Sequence, residues 1–98
     1  MTLPTNTSPD VVVLRNGSLI SMAFFQTIQD HVLQQLPTLI PGSDYTVKQM
    51  CREAFWLSLS DGERRSAGAC VLNMVETGQL KLTCRGRNSG NAYRYRPF

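Results

Sequence analysis

An α+β fold is predicted, with three helices, a C-terminal β-hairpin and a short N-terminal extended segment. Three observations carry it. Apolar residues recur at three- and four-residue spacing in three stretches, at residues 21–36, 47–57 and 61–77. Two S/T-x-x-E/Q capping boxes, Thr46 with Gln49 and Ser60 with Glu63, stand at the heads of the second and third stretches. Beyond Gly78 the apolar period falls from 3.6 to 2.

The elements follow in order. Residues 1–10, with Pro4 and Pro9 among Thr, Asn and Ser, read as a flexible lead-in with little to bury, and residues 11–98 as a single domain. "VVVLR" is a short β-branched strand closed by Asn16-Gly17, a pair that accepts positive φ in a tight turn. Phe24, Phe25, Ile28, Val32 and Leu36 form one stripe of a first helix that Pro37 stops, with His31 beside the stripe. After the Pro/Gly loop at residues 37–43, a short extended segment at residues 44–46 leads into a second helix over 47–57. The third helix begins with Asp61 and Glu63 in its first turn, where the helix dipole favours negative charge. Its inward stripe is expected to be Ala67, Cys70, Val71, Met74 and Val75, and it ends near Thr77 before the left-handed cap expected at Gly78. Leu80, Leu82 and Cys84 then alternate with Lys81, Thr83 and Arg85, and Tyr93 and Tyr95 with Arg94 and Arg96, around the turn "GRNSGN".

Composition narrows the function. At 98 residues the chain suits one core, and its 42% hydrophobic and 17% charged residues describe an ordinary globular domain rather than a disordered chain. No apolar run approaches the ~18–20 residues that span a bilayer, so no membrane partner is expected. The N-terminal residues lack the basic start and apolar centre of a secretory signal, which makes cytoplasmic the expected location. Three cysteines without a C-x-x-C pair, and one histidine, under-supply a zinc site. Cys51, Cys70 and Cys84 are expected as small apolar residues, with no metal, disulfide or cofactor. With no G-x-S-x-G and no phosphate-binding glycine loop, the chain is not expected to be an enzyme, and no catalytic residue is assigned.

The charge is unevenly placed. Residues 1–80 hold five Lys/Arg and seven Asp/Glu, a net −2, whereas residues 81–98 hold Lys81, Arg85, Arg87, Arg94 and Arg96 and no acid. An all-basic hairpin points to an anionic partner.

Three helices followed by this hairpin, and above all the run "LSDGERRSAGACVLNMVETGQLKLTCRGRNSGNAYRYRP", resemble the winged helix-turn-helix superfamily, including small regulators of bacteria and their phages. "VETGQLKL" is similar to the junction where a recognition helix becomes the first strand of the wing. The resemblance covers residues 21–97 and implies a transcription regulator that binds duplex DNA, with helix three in the major groove and the wing along the adjacent backbone or minor groove. On this reading Lys81, Arg85, Arg87, Asn88, Arg94 and Arg96 serve the wing, with Asn91 beside them. Arg64, Arg65, Ser66 and Asn73 serve helix three as base readers or phosphate contacts. Arg64 and Arg65 also have a local use, pairing with Asp61 or Glu63.

Ala69, Leu72 and Glu76 on the outward arc of helix three argue differently, because a leucine among small residues suits a protein surface and a glutamate repels phosphate. The alternative is a protein-interaction module, an adaptor or an inhibitor of a nucleic-acid-handling complex. The surplus apolar segments "VVVL" and Phe24-Phe25 suit a homodimer matched to a palindromic operator.

Overall fold

Local chemistry and long-range packing divide the work of shaping this chain. The computed structural model describes residues 11–90 and 92–98; the lead-in expected at residues 1–10 lies outside them, as does Asn91. The described chain is α+β, with four helices and two small antiparallel hairpins.

The first hairpin pairs β1 (Val11–Val13) with β2 (Leu19–Ser21), Val12 opposite Ile20. Its turn is the expected one: Gly17 takes φ 89° and the Asn16 side chain accepts from the Ser18 N–H at 2.9 Å. The return strand was not expected, and β1 stops before Leu14, which turns into the core. Ser21 then caps α1 (Met22–Gln35), its hydroxyl accepting from the Phe24 N–H at 3.0 Å. Phe25, Ile28 and Val32 are buried along α1, and a 3₁₀ turn over Leu36–Thr38 ends the run at Pro37.

The second predicted helix is two helices, α2 (Val47–Met50) and α3 (Glu53–Leu57). Cys51 and Arg52 between them are extended, with ψ 154° and 141°. Packing explains the break. Met50 and Cys51 are both buried, and the redirected α3 lays the Phe55 ring on His31 at 3.9 Å between centroids, 19° from parallel. Segments of four and five residues have little helical stability of their own, so the core decides their direction. The capping box of Thr46 and Gln49 is present.

α4 (Asp61–Glu76) is the longest element, opened by the capping box of Ser60 and Glu63. It closes with a Schellman motif: the Gln79 N–H donates to the Met74 carbonyl at 2.8 Å and the Gly78 N–H to the Val75 carbonyl at 3.2 Å, with Gly78 at φ 78°. Ala67, Cys70, Val71 and Met74 are fully buried against α1, α2 and the second hairpin. Each large apolar side chain so buried contributes roughly 1.5–3 kcal/mol.

The second hairpin, β3 (Leu82–Arg87) with β4 (Tyr93–Pro97), follows. Tyr45 adds a third rung: its N–H and carbonyl each bond to Tyr95 at 2.7 Å, giving the order Tyr45, β4, β3. Tyr95 is fully buried, and burial pushes its phenol well above the ordinary range.

Candidate nucleic-acid interface

Strand alternation sorts the arginines of the hairpin, and one irregularity changes the sorting. Thr83 pairs with Arg96 and Cys84 with Tyr95, but the next pair is Arg87 with Tyr93, so Arg85 and Gly86 together face Arg94. Gly86, at φ 84°, supplies the conformation this bulge needs. The consequence is a change of side. Arg87 joins the tyrosines, its guanidinium 4.6 Å from the Tyr93 ring centre and one N–H directed at the Tyr93 hydroxyl at 3.3 Å. Arg85, Arg94 and Arg96 share the opposite face. Arg87, expected in the connecting turn, is therefore the end of β3 and lies on the opposite face from Arg85, Arg94 and Arg96.

Asp44 occupies the larger of them. Its Oδ1 accepts from Arg96 Nε at 2.8 Å and its Oδ2 lies 3.6 Å from an Arg94 terminal nitrogen. Arg94 also donates to the Arg85 carbonyl at 3.1 Å. The Arg96 hydrogen bond holds the Asp44 carboxyl below its usual value; desolvation opposes this, and the charges of Arg96, Arg94 and Arg85 reinforce it. Beside this cluster is an open cleft between α2 and the hairpin, lined by Asp44, Thr46, Lys48, Gln49, Asn88 and Arg94. Asp44 and Lys48 were not among the expected site residues. The pairing of Tyr45 with Tyr95 brings them there, and no local pattern announces that register.

The remaining predicted residues have distinct environments. Lys81 is exposed at the base of the hairpin. The Asn88 side-chain Oδ1 accepts from the Gly90 and Ala92 N–H groups at 2.9 and 3.0 Å, so this side chain builds the turn. Arg64 donates from Nε to the Trp56 carbonyl at 3.2 Å, stacks over the Trp56 ring at 5.7 Å and lies 3.8 Å from Asp61. It ties α3 to α4, in line with the local use. Arg65 is exposed on the outer side of α4, and Ser66 is half-buried beside Leu19, Ile20 and Phe24.

Asn73 is not on the outward arc. It is buried, and its side-chain oxygen accepts from the Arg15 N–H at 2.9 Å, fastening the first hairpin to α4. Ala69 and Leu72 are half-buried against the core, and Glu76 lies 4.0 Å from Arg15. Cys51 and Cys70 are buried with thiols raised to about 11 by desolvation, and Cys84 is half-buried.

The arrangement can hold an anion against a backbone-built hairpin through guanidinium donors. The chain matches no protein-family model, no curated protein and no solved structure. No described helix is long and apolar enough to cross a membrane.

Proposed function

We propose that the chain is a small winged-helix protein that binds duplex DNA as a transcription regulator and does so mainly through the backbone. The order α1, Tyr45 segment, α2–α3, α4, β3, β4, with Tyr45 added beside β4, supports the winged-helix reading. The observation that carries the function is the hairpin itself: Arg85, Arg94 and Arg96 on one face, Arg87 on the other and Lys81 at its base, with no acid in the hairpin.

α4 adds little base reading. With Asn73 committed to Arg15 and Arg64 to Trp56, Arg65 is the main basic group left on its outer side, flanked by half-buried Ala69 and Leu72. Phosphate contacts then dominate, and affinity depends more on salt than on sequence.

Anisotropy titrations with random duplex DNA, single-stranded DNA and RNA across a salt series test this. Duplex binding whose log affinity falls linearly with log salt is expected, with Arg85→Ala weakening all sequences alike. Failure to bind any of the three at low salt sinks the proposal. The protein-interaction alternative loses its main support, because Leu72 is half-buried against the core and not displayed on the outer side of α4.

A further inference from the structure

Asp44 is held between two arginines of the hairpin. Its two carboxylate oxygens are divided between Arg96 and Arg94, the arrangement in which guanidinium groups hold two oxygens of a phosphodiester. The carboxylate also lines the open cleft that contains Lys48 and Arg94, so an external anion can approach Arg94 and the Asp44 position from solvent. The contacts are surface contacts: both arginines keep more than a third of their side-chain area exposed, and Asp44 keeps 23%. A half-buried ion pair that solvent still reaches is open to exchange with an outside anion.

From this geometry we infer that Asp44 is an intramolecular competitor for the anion site formed by Arg94 and Arg96, and that a backbone phosphate of the bound nucleic acid replaces it there. The inference rests on the nucleic-acid reading for the identity of the ligand and on the geometry for the site. The pairing lowers affinity in a defined way. While Asp44 holds the two arginines, one of their two positive charges is neutralised internally and contributes nothing to counterion release. A phosphate that takes its place must also lie near the displaced carboxylate. Removal of the carboxylate charge therefore adds about one ion to the salt dependence, since each neutralised phosphate contributes a slope of roughly 0.9.

The test compares the wild-type chain with Asp44→Asn, a substitution that keeps the shape and an acceptor for Arg96. On random 20-base-pair duplex, Asp44→Asn should bind about five- to tenfold more tightly near 0.1 M salt, with a log–log slope steeper by about one. In a chain already carrying Arg94→Ala and Arg96→Ala, the same substitution should gain less than about twofold. Unchanged or weaker binding by Asp44→Asn, or an equal gain without the arginines, overturns the inference.

A second readout keeps the site separate from the nucleic-acid reading. Inorganic phosphate should shift the Arg94 and Arg96 Nε–H NMR signals at lower concentration in Asp44→Asn than in wild type. If neither chain binds nucleic acid but this difference appears, the DNA reading fails and the competitor stands; equal titrations overturn the competitor. Asp44→Ser serves the same comparisons if the asparagine variant does not fold.

Discussion

Asn73→Ala separates a structural asparagine from a base-reading one. The substitution removes the acceptor that the Arg15 N–H reaches at 2.9 Å, the link between the first hairpin and α4. A donor left without a partner costs about 1–3 kcal/mol. Two effects reduce this here. Arg15 is exposed, so water recovers part of the lost bond, and alanine is favoured over asparagine within a helix by about 0.6 kcal/mol. The net expectation is destabilisation by about 1–1.5 kcal/mol, which for a domain of this size lowers Tm by about 4–12 °C. Urea and thermal unfolding followed by circular dichroism measure it. Asn73→Asp, which retains an acceptor, should lose less. DNA affinity of the folded Asn73→Ala protein should remain within about twofold of wild type. A variant of wild-type stability that binds DNA tenfold more weakly would refute the argument and return Asn73 to the reading face.

Other expectations can be checked with the same methods. Gly78→Ala should destabilise by about 1–2 kcal/mol, because Gly78 holds φ 78° and the added methyl meets only open space, leaving backbone strain as the cost. Gly68→Ala, also into open space but at ordinary helical φ, should stabilise by about 0.5–1 kcal/mol in urea melts. Asp44 has a carboxyl pKa depressed in the folded state, so its contribution to stability is present above the unfolded value near 3.8 and is lost as pH falls through the lower folded value. Acid melts of Asp44→Asn should lack that component. Ellman's reagent at pH 8 should reach Cys84 first in the native protein, with Cys51 and Cys70 reacting after guanidinium unfolding; rapid native reaction of all three contradicts their burial.

Features set within a few residues were legible in the sequence. Both capping boxes, the stop at Pro37, the left-handed Gly78 and the buried stripe of α4 depend on neighbours three or four positions away. The break at Cys51 was not, because a continuous helix satisfies the local pattern and only the placement of Phe55 on His31 and of Cys51 in the core argues against it. The hairpin shows the same division. Its two strands follow from alternation, but the side on which Arg87 emerges depends on one bulge. The isolated Gly86 between Arg85 and Arg87 was the available signal for that bulge. Asp44 and Lys48 enter the site only through the register of Tyr45 against Tyr95, fifty positions away, which no single stretch of sequence encodes.

That same register has a consequence for the order of assembly. Closing a loop of fifty residues costs roughly 3.5 kcal/mol of chain entropy beyond a constant, and only two backbone hydrogen bonds join Tyr45 to Tyr95 directly. Closure becomes favourable once α1 and α4 have packed and shortened the distance to be spanned. On a ribosome the middle of the chain must wait: residues around Tyr45 can have helices on either side of them while the strand that receives them is still in the exit tunnel. The cleft beside Tyr45 is consequently expected to form late, with φ-values near zero for substitutions that weaken the Tyr45–Tyr95 pairing.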